Sequence, residues 1–322
     1  MSDSQDIASV SDPAPSGWER DTLEKLAFAT LREQQLARRW KNGLRLAWLL
    51  FAVVVFWVGW SYNAPVTSPS MPHTAMVAIK GEIAAEGDAS AENIMAAMRS
   101  ALEDGGSRAL VLLINSPGGS PVQAGLINDE IHRLKKLHGK PVYVVVEESC
   151  ASAAYYIAAA ADQIFVDKAS IVGSIGVLMD GFGFTGLMDK LGIERRLMTA
   201  GENKGFLDPF SPQTEAQRKH AQAMLNQIHR QFIGVVKAGR GERLKETPEM
   251  FSGLFWTGQQ AVDMGLADGL GSLDSVARDV VKASEVIDYT RHENVAERLA
   301  KRFGAAMGEA SVKALRTASA LR

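Results

Sequence analysis

The feature that most constrains this chain is Leu46–Trp60, fifteen residues without a charged side chain, LAWLLFAVVVFWVGW. Extended to Leu44 and Tyr62 the run covers nineteen positions. As a helix that is roughly 28 Å at about 1.5 Å per residue. It nearly spans a hydrocarbon core of about 30 Å, with Arg45 snorkelling to the headgroups. Trp40, Trp48, Trp57, Trp60 and Tyr62 gather towards its ends, where interfacial aromatics sit. Arg38, Arg39, Lys41 and Arg45 cluster at its N-terminal end, and no charge follows it until Lys80. By the positive-inside rule the N-terminus stays in the cytoplasm and everything after Tyr62 is exported. A buried core helix is the competing reading, and the one-sided charge opposes it. A cleaved signal peptide is another, opposed by the long polar stretch ahead and the missing A-x-A site.

Residues 1–20 are polar and read as disordered. Residues 1–43 are therefore expected as a cytoplasmic segment, 44–62 as a transmembrane helix, and 63–74 as a Pro/Ser-rich linker. Hydrophobic residues make up 46% of the 322, which suits a packed globular part beyond the linker. Lys+Arg 35 against Asp+Glu 37 argues against a nucleic-acid binder with a wholly basic surface. A single cysteine, Cys150, excludes an intrachain disulfide and a multi-cysteine metal site.

From residue 75 strand and helix patterns alternate. AMVAIKGEI (75–83), ALVLLI (109–114), PVYVVV (141–146) and QIFV (163–166) read as strands, the apolar ones as strands buried on both faces. Helical spacing falls between them, over AENIMAAMRSALED and from Pro121 to about Leu137. Residues 213–238 form a long amphipathic helix with Ala223, Met224, Ile228, Phe232 and Val235 on one stripe. The alternation predicts parallel crossover units in an α/β domain over 75–285. Residues 286–322 end in an Ala-rich basic tail with Leu299, Phe303 and Met307 at four-residue spacing. That spacing fits a terminal helix that is solvated, packed on a partner or laid on a membrane surface.

Three small-residue clusters follow strands. Ser116-Pro117-Gly118-Gly119 can expose backbone N–H groups as an oxyanion hole, or can be an ordinary turn. In Ser149-Cys150-Ala151-Ser152-Ala153-Ala154-Tyr155-Tyr156, small neighbours let a substrate backbone approach a serine; helix capping by Ser149 or Ser152 is the plain alternative. A serine nucleophile needs a base. His73 falls in the linker, His132, His138, His220 and His229 on charged helices, and His292 in the tail, so none is recommended. A lysine base must be neutral, which requires its ordinary pKa of about 10.4 to fall to roughly 7–8 by desolvation. Lys204, in Gly201-Glu202-Asn203-Lys204-Gly205 with Phe206, Leu207 and Phe210 close by, is the candidate; a solvated loop lysine is the alternative.

In this order the three clusters, with Val172-Gly173-Ser174-Ile175-Gly176 between the second and third, resemble bacterial signal peptide peptidase A of the protease IV serine peptidases. The resemblance covers roughly residues 75–285 and the short, single-domain form. It implies a Clp protease/crotonase-like parallel-sheet α/β domain behind one N-terminal transmembrane helix. It makes Ser152 the nucleophile, Lys204 the general base, Ser174 the residue orienting the lysine, and the N–H groups of Gly118 and Ala153 the oxyanion hole. It further implies hydrolysis of cleaved signal peptides and other unfolded apolar peptides. No metal or cofactor is called for, and no nucleic-acid partner. Ring-shaped homo-oligomers are implied, with Ser and Lys supplied by neighbouring subunits, at the outer face of the bacterial inner membrane. Where the family usually has Gly-Gly after the nucleophile, this chain has Ala153-Ala154, and alanine takes positive φ less easily than glycine. A non-catalytic scaffold of the same fold, and crotonase-like acyl-CoA chemistry, are the alternative functions.

Overall fold

The structure, a computed structural model, describes residues 38–57 and 71–292. The readings placed on 1–37, on Trp60 and Tyr62, on most of the linker and on the basic tail lie outside the described residues. The chain divides into two units, residues 1–67 and 68–322. In the first, α1 (Arg38–Trp57) is a helix long and apolar enough to cross a membrane by length and composition. Its large side chains, among them Trp48, Phe51 and Phe56, are exposed.

The second unit is built on an eight-stranded sheet. Its chain order is β1 (His73–Lys80), α2 (Ala91–Glu103), β2 (Ser107–Ser116), α3 (Pro121–His138), β3 (Val142–Ala151), α4 (Ala153–Ala158), β4 (Gln163–Val166) and β5 (Ile171–Gly173). There follow α5 (Thr185–Leu191), α6 (Glu215–Arg240), β6 (Phe255–Thr257), α7 (Gly258–Asp263), β7 (Gly269–Leu270), the short α8 (Leu273–Ser275) and β8 (Val286–Asp288). The strands run β6-β5-β3-β2-β1-β8, and β4 bridges β3 to β7. The expected parallel pairing holds throughout except between β5 and β6, which are antiparallel. Strand β8 pairs with β1 through Thr74↔Val286, so the sheet runs on past residue 285.

Burial explains the apolar runs. Leu110, Leu112, Ile114, Val144 and Val146 face one large core with the apolar sides of α2, α3 and α4. The alternate residues Val111, Leu113 and Val145 face a second, smaller cluster capped by Val276. A strand buried on both faces keeps no polar position to alternate with.

His73 is not a linker residue. It opens β1, fully buried, and its Nε2 lies 3.1 Å from the Tyr289 hydroxyl, which bonds Asp104 in turn. Between α2 and α3, Glu130 accepts from Arg99 at 2.5 Å and from Arg133 at 2.6 Å. The Arg133 hydrogen bond, helped by Arg99 and opposed by partial burial, holds the Glu130 carboxyl down at about 2. A carboxylate held low stabilises the fold above its ordinary value near 4.5 and loses that contribution as the pH falls towards 2. Glu130→Gln should therefore flatten the acid loss of stability across that window, read by denaturation at stepped pH. An equally steep loss in the variant would remove Glu130 from the account.

Helix α6 crosses the end of α4 so closely that a Cβ on Gly239 would lie 1.9 Å from the Ala159 carbonyl oxygen. Gly239→Ala should cost about 1–3 kcal/mol in denaturant unfolding, as overpacking does. A variant as stable as the parent would contradict this close crossing.

Candidate active site

Strand β3 changes partner along its length. Tyr143–Val146 pairs with β4, then Ser149–Ala151 pairs with β5 after the register to β2 shifts between Ile114 and Ser116. The switch carries the end of β3 out of the flat ladder and leaves Ser152 just beyond its last paired residue.

Ser152 has φ 53° and ψ −123°, a left-handed backbone that L-residues avoid. Such a residue stores about 1–3 kcal/mol and persists only where its surroundings hold it. Here its N–H donates to the Gly173 carbonyl at 2.8 Å, and its own carbonyl accepts from Tyr156 N–H at 3.0 Å. Ser152 occupies the N-cap position of α4, yet its side chain makes no capping bond. The capping alternative therefore fails, and the hydroxyl is left half-exposed at the start of a helix.

Gly118 lies directly against this serine. A Cβ there would stand 2.7 Å from Ser152 Cβ and 2.8 Å from the Ala151 carbonyl oxygen, and φ is 109°. Both facts require glycine. The N–H of Gly118 donates to Ser116 Oγ at 3.1 Å. Its carbonyl accepts from Ile83 N–H at 2.8 Å, while Ser120 N–H donates to the Ile83 carbonyl at 2.8 Å. That parallel bridge leaves the N–H of Gly119, an exposed residue, out of the ladder. Gly119 is a backbone donor that sequence reasoning passed over, because a Gly-Gly pair does not say which amide the turn will consume. Ala153 is helical, and the positive φ falls on Ser152 itself. The Ala153-Ala154 pair therefore meets no conformational demand that only glycine could satisfy.

Ser174 mirrors Ser152 on the neighbouring strand. Ala151 pairs with Gly173, so the two serines are the residues next after paired positions, and Ser174 has φ 51°. Its N–H donates to Leu254 C=O at 2.8 Å, and Gly176 N–H donates back to its carbonyl at 2.9 Å. Gly173 packs on Trp256, where a Cβ would stand 3.0 Å from the ring.

Thus Ser152, Ala153, Gly118 and Ser174 are gathered at one end of the sheet. Lys204 is not joined to them. It is exposed in the turn 201–207, and among the described residues no hydrogen bond or ion pair reaches its amine. The expected apolar wall does not close over it within one chain. Leu207 and Phe210 are themselves exposed, and Phe210 stacks on Phe184 at 5.5 Å. No histidine emerges as the base, but His229 comes closer to the candidate site than its helical setting suggests: its Nε2 lies 3.1 Å from the Ile175 carbonyl, one residue past Ser174. A period-3.6 pattern shows only that His229 is on a helix, not that this part of the helix packs beside the site.

Cys150, two residues from Ser152, is fully buried, and desolvation pushes its thiol well above the usual range. A thiol alkylating reagent should label Cys150 only on unfolding; labelling of the folded chain at the unfolded rate would contradict its burial. Ser152→Gly should relieve backbone strain and raise stability by about 1 kcal/mol in denaturant titration. A fall in stability would show that the serine is not strained.

Residues 134–287 match the family model described as Peptidase family S49. That span contains Ser152, Ser174 and Lys204; the Gly118 turn precedes it. A protein of Brucella abortus named Na(+)/H(+) antiporter NhaA is 47% identical over 181 residues, which is 56% of this chain and 25% of that one. A candidate protease of Methanocaldococcus jannaschii is 34% identical, with 60% of this chain matching 63% of its length. A candidate signal peptide peptidase SppA of Enterococcus faecium is 30% identical over 62% of this chain and 58% of its own. The chain thus spans a quarter of the first of these relatives and about three fifths of the other two. Residues 134–287 are thus similar to Peptidase family S49, and the chain is similar over part of its length to a candidate SppA and a candidate protease.

Proposed function

We propose that this chain is a membrane-anchored serine peptidase working through Ser152 and Lys204, with a Clp protease/crotonase-like catalytic domain. The observation that carries the reading is the backbone of Ser152: left-handed, at the head of a helix, with its hydroxyl uncommitted and Gly118 pressed against its Cβ. A structural serine has no reason to hold that strain, whereas a nucleophile that must stand clear of its own strand does. The scaffold alternative drew on Ala153-Ala154, and the helical conformation of Ala153 removes that support.

In the reaction, neutral Lys204 takes the proton of Ser152 as Oγ attacks a peptide carbonyl. The charge developing on the carbonyl oxygen is met by Ala153 N–H and by the Ser116–Ser120 turn. Gly118 N–H serves there only by giving up its Ser116 bond, so Gly119 N–H is the donor already available. The protonated lysine then passes its proton to the leaving amine, and water attacks the acyl-enzyme to free Ser152. Ser174 Oγ orients the lysine amine.

Within one chain the lysine is poorly placed for this. Phe206 packs edge-on against the His220 ring at 5.6 Å, tying the Lys204 turn to α6. His229, at the Ser174 turn, lies nine residues further along α6. That spacing is about 13 Å along the axis and half a turn round it. This supports a site completed by Lys204 of a neighbouring subunit, within a ring-shaped homo-oligomer. The exposed apolar side chains around α5, such as Leu178, Phe182, Leu187 and Met198, give such a ring a surface to bury. Burial there would also supply the desolvation that a neutral amine needs.

The substrates we assign are cleaved signal peptides and other unfolded apolar peptides. The anchor is α1, with its basic end in the cytoplasm and the peptidase domain on the outer side of the inner membrane. Ser152→Ala and Lys204→Ala should each lower peptide hydrolysis by at least about a thousandfold with the fold intact by circular dichroism. Lys204→Ala should also slow labelling of Ser152 by a fluorophosphonate probe. A folded variant of either kind that still turns over removes that residue from the mechanism.

A further inference from the structure

The segment that bears Ser174 is clamped from two sides. On one side the stretch leading into β6 holds it: Leu254 C=O accepts from Ser174 N–H at 2.8 Å, and a Cβ on Gly176 would stand 2.9 Å from Gly253 Cα. On the other side stands α6, through one polar contact, His229 Nε2 on Ile175 C=O at 3.1 Å. A carbonyl can only accept, so Nε2 carries the proton, in the neutral Nε2–H tautomer as well as in the cation.

His229 belongs to the docking face of α6. Phe232, Val236 and Arg240 follow it at helical spacing and are buried. Phe232 meets Tyr156 of α4 at 5.3 Å between ring centres, and Arg240 donates to Gly265 C=O at 2.8 Å. The same face therefore rests on α4, whose first turn follows Ser152, and on the turn that carries Ser174. The remainder of α6, towards Glu215, is mostly exposed.

We propose that His229 is a positioning residue for Ser174: its Nε2–H on the Ile175 carbonyl fixes the 173–176 turn, and with it the Ser174 hydroxyl, relative to Ser152. This deepens the peptidase reading and rests on it. Ser174 acts on the proton-accepting lysine and not on the bound peptide. Losing the His229 bond therefore lowers kcat and leaves KM nearly unchanged.

The test compares the detergent-solubilised full chain with His229→Phe, which keeps a ring and loses the donor, and with His229→Gln, which keeps an N–H donor. Peptide hydrolysis and amide hydrogen exchange over 173–176 are measured on all three. For His229→Phe we expect kcat to fall roughly five- to tenfold with KM within about twofold, as for loss of one neutral hydrogen bond. Exchange at the Ser174 and Gly176 amides should accelerate by a similar factor, and His229→Gln should restore both readouts. Unchanged exchange in His229→Phe overturns the inference, whether or not the chain proves to be a peptidase. Faster exchange with unchanged kcat in an active chain overturns it too. A wild type without Ser152-dependent turnover fails the peptidase reading alone, and the exchange of His229→Phe then decides the positioning role by itself.

Discussion

The candidate site depends on one hydrogen bond, the 2.8 Å contact from Ser152 N–H to the Gly173 carbonyl. It continues the β3–β5 ladder by one step into a residue whose backbone is no longer extended. Because Ala151 and Gly173 are still paired, Ser152 and Ser174 leave the sheet side by side, both with positive φ. Gly118 can approach only because it lacks a side chain, and its approach brings the turn after β2 against Ser152. Each of these features would be a local fault in a purely structural domain. Together they put a free hydroxyl, backbone amides and a second hydroxyl at one end of the sheet. Strain of this kind is held where function needs it and supported by the packing around it.

Support comes mainly from two elements. Strand β3 is anchored by partners on both flanks, since it pairs with β2 on one side and with β4 and then β5 on the other. Helix α6 adds a second brace through Phe232 on Tyr156 and through the ion pair of Arg240 with Asp268 at 2.8 Å. Arg240 is fully buried, and its Gly265 and Asp268 bonds compensate much of the desolvation. The candidate-site end of the domain is thereby braced, while the 177–212 segment presents apolar side chains such as Leu178, Phe182 and Met198 outward. That contrast is what a chain needs if one half of its site is built in place and the other half arrives with a partner.

Much of this was legible in the sequence. ALVLLI and PVYVVV announced buried strands, because no charged residue alternates within them, and QIFV announced a further strand. The long helix was readable from its stripe and lies within two residues of its expected ends. The proposed nucleophile stood out only in combination: Ser152 among small residues is ambiguous until SPGG, GSIG and the loop lysine are taken with it. What stayed hidden was set by tertiary contact. Strand β3 runs on through Glu147 and Glu148 to Ala151, since its second half finds a new partner that local composition does not advertise. The turn consumes the amide of Gly118 and not that of Gly119, which depends on Ser116 and Ile83. His73 became a core residue because Tyr289 and Asp104, distant in sequence, surround it. His229 was passed over for the same reason.

The central claim is that Ser152 of one subunit works with Lys204 of another. The most direct measurement mixes Ser152→Ala chains with Lys204→Ala chains under conditions that exchange subunits, and assays peptide hydrolysis. In a ring with one site per interface, random mixing leaves about a quarter of the sites with both groups intact. The account predicts recovery of about that share of wild-type activity from two inactive parents. A mixed particle, shown to contain both chains and still inactive, would contradict it.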